Sequence, residues 1–258
     1  MNKYAKLLLP LTFLFLCSGS GYGDKTEIEG EYWANGNGDE GDVKREYWDN
    51  GKLKKETHFK NGKEEGEFSI WYKNGKMQTK SYYKNGKLNG LLSIWHQNGQ
   101  KMSITPYIDG KESGFATTWY VTGEKRQDLN YLDGKLTGKQ TWWYKSGIKD
   151  EERSYRKGIE SGPRVKWFEN GKKDMETFYE NGKENGLRTE WRWDNGKKLM
   201  EANFKDGDLH GSYKDWHLNG VQANLGQYKE GKEDGLWVVW SKDGRTKTEK
   251  FYKNGKKQ

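Results

Sequence analysis

Nine aromatic residues recur along this chain at a near-constant step: Phe59, Tyr83, Tyr107, Tyr131, Tyr155, Tyr179, Phe204, Tyr228 and Tyr252. Every step is 24 residues except that from Tyr179 to Phe204, which is 25. Three glycine columns keep the same register, the first from Gly62 to Gly255, the second from Gly66 to Gly235 and the third from Gly75 to Gly244. A tryptophan column runs with them: Trp71, Trp95, Trp119, Trp143, Trp167, Trp191, Trp216 and Trp240. A period of this size marks a repeat architecture, in which one supersecondary unit buries its apolar face only against its neighbours. A catalytic constellation needs its residues once. What recurs down a whole chain is a scaffold.

Composition alone points elsewhere. Hydrophobic residues are 31%, charged residues 33% and mean hydropathy is −1.23, a balance that leans towards disorder. Yet aromatics reach 15%, and they are periodic. Disordered chains are poor in aromatics, so the chain is folded, though with a thin core.

Asn-Gly and Asp-Gly are strong hairpin signals, because both central positions of a type I′ turn need positive φ. Each unit has two such places, for instance Asn61-Gly62 and Asn74-Gly75, and both are expected to be such turns. Between Gly66 and Asn74 lies one strand's worth of chain, Glu67 to Lys73, and between Gly75 and Tyr83 a second, more polar run. The fold class is therefore all-β, an elongated array of antiparallel β-hairpin repeats forming a single repeat domain. Two strands per unit advance roughly 10 Å, so eight units make a ribbon on the order of 80 Å long. The extra residue near Trp191-Arg192-Trp193 is expected to be a β-bulge. Residues 59–258 read as about eight full units and a partial last one, and residues 31–58 as degenerate capping repeats.

The string Tyr-x-Asn-Gly-Lys-x-x-Gly, followed by Trp-Tyr-x-Asn-Gly, resembles the MORN repeat, and more closely its bacterial variant in YwqK-type antitoxin-like proteins. The resemblance covers about Glu31 to Lys257. It implies a hairpin array used for binding or scaffolding, and it supplies no catalytic residues and no cofactor.

Residues 1–17 form a separate segment. Lys3 and Lys6 precede an apolar run from Leu7 to Leu16 that is too short to span a membrane, which reads as a secretory signal peptide. Cys17, the only cysteine, stands where a lipoprotein signal places its lipidated residue, although Leu16 occupies the position where a small residue is usual. The alternative is ordinary cleavage near Gly23 that discards Cys17. Residues 18–30 read as a flexible linker. The expected location is the cell envelope, either as a lipid-anchored protein or free in the periplasm or outside.

No chemistry recurs with the repeat. His58, His96, His210 and His217 fall at different places in their units, with no metal-ligand spacing. Glu64, Glu112, Glu184 and Glu233 share the position after the turn lysine, where a solvated turn accounts for them. No glycine-rich segment opens a helix to cradle phosphate, and no nucleophile stands with a base. Catalytic residues, metal and cofactor are thus expected to be none. Formal charge is +8, with a turn lysine column that includes Lys63, Lys87, Lys111 and Lys135. Such a ribbon suits anionic lipid, an acidic envelope polysaccharide or an acidic protein, and export removes nucleic acid from consideration.

Side-chain alternation divides each first strand into two faces. One holds the eight tryptophans, read as structural, with Ser69, Leu91, Phe115, Val165, Leu187 and Val238, and is expected to be the packed face. The other is Phe68/Ile70, Leu92/Ile94, Ala116/Thr118, Gln140/Trp142, Arg164/Lys166, Arg188/Glu190 and Trp237/Val239. Its apolar members Phe68, Ile70, Leu92, Ile94, Trp142 and Trp237 are expected to dock an unidentified protein partner. Three readings stay open: a protein-binding scaffold at the envelope, a carbohydrate, cell-wall or lipid module whose tryptophans stack on ligand, and an antitoxin-like protein neutralising a toxin.

Overall fold

The structure is a computed structural model that describes residues 30–34 and 41–258. The expected signal segment, Cys17 and nearly all of the 18–30 linker lie outside the described residues. The described residues form strands and turns, all strands belong to one sheet, and every pairing is antiparallel. The sheet is a meander. Leu53–Lys60 pairs with Lys63–Trp71, that strand with Met77–Lys84, that with Gly90–Trp95, and so on to Lys247–Lys253. The all-β array of hairpins expected from the period is what forms.

The two turns of a unit are different devices. At the first, Asn61 has φ 51° and Gly62 φ 75°, the paired left-handed conformation of a type I′ turn. The same pair recurs in every unit, even where Lys157 and Glu230 stand in place of Asn or Asp. At the second, only the glycine is left-handed. Gly75 N–H donates to the Tyr72 carbonyl at 2.8 Å and Tyr72 N–H to the Lys76 carbonyl at 2.8 Å, so Lys73-Asn74-Gly75 is a three-residue loop ending in a glycine bulge. The expectation of a type I′ turn here is corrected. Asn74 is needed for its side chain, which accepts from Lys76 N–H at 2.9 Å and donates to the Gln97 carbonyl of the next unit at 3.3 Å.

The 25-residue step is likewise not a bulge. A register shift beside the tryptophan, between Ile70 and Trp71 for example, is common to the units, and the shift between Glu190 and Trp191 is one of that series. The extra residue lengthens the turn instead, where Arg192 N–H reaches the Lys197 carbonyl at 2.9 Å. Residues 42–60, expected to belong to a degenerate cap, form an ordinary hairpin of Asp42–Tyr47 with Leu53–Lys60, with its own shift between Glu46 and Tyr47. Tyr47-Trp48 merely exchanges the two aromatic positions.

Three ladders tie unit to unit. In several units the residue after the tryptophan reaches the carbonyl of the next tryptophan: Tyr72 to Trp95 at 2.7 Å, Tyr120 to Trp143 at 2.9 Å and Tyr144 to Trp167 at 2.8 Å. Trp48, Arg192 and His217 reach the corresponding carbonyls in their units. A second ladder joins the asparagine side chains of the longer turn to the next unit's backbone, as at Asn50, Asn98, Asn170 and Asn219. In the third, the type I′ glycine donates one unit back, Gly86 to Glu64 and Gly110 to Leu88, each at 2.8 Å. The repeating Tyr, Asn and Gly are thus the joints between hairpins.

The core is a row rather than a centre. Thr57, Phe68 and Ser81 face each other across neighbouring strands on the face opposite the tryptophans, with Ala116, Gln140, Thr177, Ala202 and Trp237 at the equivalent places further on. All of these except Phe68 are buried. Gln140 is 0% exposed and fully satisfied: it accepts from Asn130 N–H at 2.6 Å and donates to the Thr137 carbonyl at 2.7 Å.

Candidate binding surfaces

The face opposite the tryptophans carries three parallel rows. The outermost is the column of repeat-opening aromatics, whose burial pushes the hydroxyls of Tyr83, Tyr107, Tyr131 and Tyr228 above their ordinary range. The middle row is the buried one. The third runs by direct pairing from Ile70 through Thr79, Ile94, Ser103, Thr118 and Gln127 to Trp142, and onward to Val239. The structure therefore sets Ile70, Ile94 and Trp142 on one row, and Phe68, Leu92 and Trp237 on its neighbour.

These residues are not offered equally. Phe68, Ile70, Leu92, Ile94 and Trp142 are half-buried, with Phe68 edge-on to Tyr83 at 5.5 Å and Arg153 over Trp142 at 5.4 Å. Trp237, expected as a docking residue, is only 6% exposed and packs inside a ring cluster with Tyr213, Tyr228 and Tyr252.

The centre of this face is ionic. Arg153 and Arg164 stand directly opposite each other, an arrangement that repels unless bridged. Glu151 bridges it, with Oε2 at 2.7 Å from Arg153 Nη2 and Oε1 at 2.7 Å from Arg164 Nε. Burial pushes the Glu151 carboxyl up, but the Arg153 hydrogen bond and the charges of both arginines outweigh it and hold it below its ordinary range. Burial dominates at Glu160, whose carboxyl is raised. Arg188 continues the network to Glu184 and Glu190.

The tryptophan face, expected to be packed throughout, is packed only in part. Its middle row is buried at Ser69, Thr141, Thr189 and Val238. Its glycine-proximal end is open: Leu91 is 52% and Phe115 74% exposed, and Leu187 and Leu236 are exposed with them. Alternation assigned these side chains to the right face, but Asn130 opposite Phe115 and Asn203 opposite Leu187 are too small and polar to cover them. Beside them Tyr82, Ile108, Leu132 and Ile159 are also exposed. Sequence reasoning missed this ridge, although the signal was in the columns. Ile108 and Leu132 stand where other units have Lys84, Arg156, Lys205 and Lys229.

The eight tryptophans of the column are half-buried. Lys125 lies over Trp143 at 5.2 Å, Lys149 over Trp167 at 5.5 Å and Lys173 over Trp191 at 5.5 Å. Each of these lysines also pairs with a carboxylate three residues on, at Asp128, Glu152 and Glu176. A ring face that carries an ammonium is not free for a sugar to stack on.

Among the described residues no group of three or more His, Cys, Asp or Glu side chains is placed to hold a metal ion, and no helix is long and apolar enough to cross a membrane. His58 and His217 contact backbone carbonyls, at Glu67 and Trp240. The sequence pattern of the family described as MORN repeat variant matches residues 43–61 and 64–85, two adjacent units of the array. No curated protein matches the chain.

Proposed function

We propose that this chain, two of whose adjacent units match the MORN repeat variant family, is a non-enzymatic scaffold that holds a protein partner along the open end of its tryptophan face. One observation carries this reading: an apolar ridge of Leu91, Ile108, Phe115 and Leu132 stands exposed on a sheet one layer thick. Large exposed apolar clusters mark interaction sites, and this one interrupts a column that is charged in other units. The half-buried patch at Phe68, Ile70, Leu92 and Ile94 lies on the reverse face and serves the scaffold's own packing.

The site of action we propose is the cell envelope, reached through residues 1–17, with the partner exported likewise. Intact mass of the mature chain tests this part: a lipid adduct on Cys17 or cleavage near Gly23 supports it, and a full-length cytoplasmic protein removes it.

The docking surface is tested by substituting Phe115→Asp and Leu132→Asp together. Both side chains are exposed, so the circular dichroism spectrum and unfolding midpoint should change little. Co-purification of a stoichiometric envelope partner should be lost. A partner retained by the double variant, and released instead by Ile70→Asp with Ile94→Asp, would move the docking surface to the other face.

A further inference from the structure

One position of the repeat is not fixed by its architecture, and near the end of the array it gathers aromatic rings. At the middle row of the face opposite the tryptophan column, the position held by Phe68, Leu92, Ala116, Gln140, Arg164, Arg188 and Tyr213 in earlier units is held by Trp237 in the last full one. Its ring lies on Gly226, where a Cβ would stand 2.2 Å from the indole. The indole N–H donates to the Gln227 carbonyl at 3.2 Å. Three tyrosines surround it: Tyr228 at 5.1 Å and Tyr252 at 6.3 Å edge to face, and Tyr213 at 5.7 Å tilted by 33°. The four rings line a cleft of about 280 Å³.

Two carboxylates and one ammonium share that cleft. Asp215 is held in place, accepting from the Tyr213 hydroxyl at 3.0 Å and from Asn224 Nδ2 at 2.9 Å. The side chain of Glu233 makes no hydrogen bond or ion pair with the described residues, and after burial its charge does most to raise the neighbouring Tyr228 hydroxyl. Lys250 stands directly across the strand pair from Trp237.

We propose that this cleft binds an organic cation, a quaternary or otherwise alkylated ammonium group. Aromatic faces attract cations through their quadrupole, and the attraction grows when the cation sheds water easily. An alkylated ammonium does so; a bare ammonium such as that of Lys250 is compact and strongly hydrated. Glu233 supplies the opposite charge, and Asp215 fixes the Tyr213 ring that forms one wall. The ligand is either a free small amine or an N-methylated side chain of another protein, since both present the same group. This site is independent of the apolar ridge, which lies on the other face.

Calorimetric titration of the full chain with choline, and separately with a trimethyllysine peptide, tests the assignment. The control is 3,3-dimethylbutan-1-ol, which has choline's shape and no charge. Saturable choline binding, with the neutral isostere at least about tenfold weaker, is the expected result, because the charge carries the recognition. Glu233→Gln should weaken choline by about tenfold. Lys250→Met should tighten it, a gain that unfolding cannot mimic. Tighter binding of the peptide than of choline would identify the source as a methylated protein. Equal binding of choline and its isostere, no saturable heat from either cation, or weaker binding by Lys250→Met would overturn the proposal.

Discussion

Lys157 sits at φ 52° in a turn position that Asn or Asp fills in most units. A left-handed conformation costs a branched or long side chain about 1 kcal/mol, and Asn less, because its short amide bonds locally. Lys157→Asn is therefore expected to raise stability by about 0.5 kcal/mol, read as a higher denaturant midpoint at unchanged slope. Glu151 belongs to the opposite class, a residue whose charge the fold needs. Its folded carboxyl titrates below the unfolded one, so its contribution is fully present above the unfolded value and fades as pH falls through the folded one. At pH 7, Glu151→Gln should cost about 3 kcal/mol by leaving Arg153 and Arg164 unbridged. The gap between variant and wild type should close as both are taken to acid, and a gap constant with pH would mean the bridge contributes little. The turn conformation at Lys157 was readable from Gly158 and the period. The bridge at Glu151 was not, because a carboxylate's partners are set by strands that lie across from it.

A hairpin of this array is held to the next by side-chain rungs as much as by the strand ladder, and several rungs are missing. Ser146 stands where Asn98 bonds to the Val121 carbonyl, and His96 stands where Tyr72 bonds to the Trp95 carbonyl. The buried Nε2 of His96 has no hydrogen-bond partner. Ser146→Asn and His96→Tyr should each add one bond, worth about 1 kcal/mol, and their effects should add because the rungs lie far apart. Thermal melts of the two single variants and the double check this, and destabilisation by both would show that the rungs follow packing rather than cause it. At this scale the sequence was legible in its columns and misleading in its turns. Asn74-Gly75 has the dipeptide of a type I′ turn and forms a three-residue loop, because the neighbouring unit offers its asparagine a carbonyl.

Among the described residues the contacts of each hairpin are mainly with neighbouring strands, and the side-chain rungs reach only to the adjoining unit, so the array behaves as a one-dimensional chain of units. Excising residues 108–131 removes one period and joins Tyr107 to Leu132 in register. That protein should fold cooperatively with an unchanged circular dichroism spectrum per residue. Excising residues 108–119, half a period, sets unlike strands against each other and should not. Equal tolerance of both cuts would mean that the columns do not specify the pairing.

The sequence by itself determined the unit, its period, its hairpin topology and the type I′ turn at Asn61-Gly62 and its equivalents, because each follows from residues close together in the chain. It also determined which side chains share a face, through simple alternation. Only the tertiary structure decided which of them are covered. In a single-layer sheet that depends on the size of the side chains standing opposite: Asn130 leaves Phe115 bare, while Gly226 lets Trp237 sink and three tyrosines close around it.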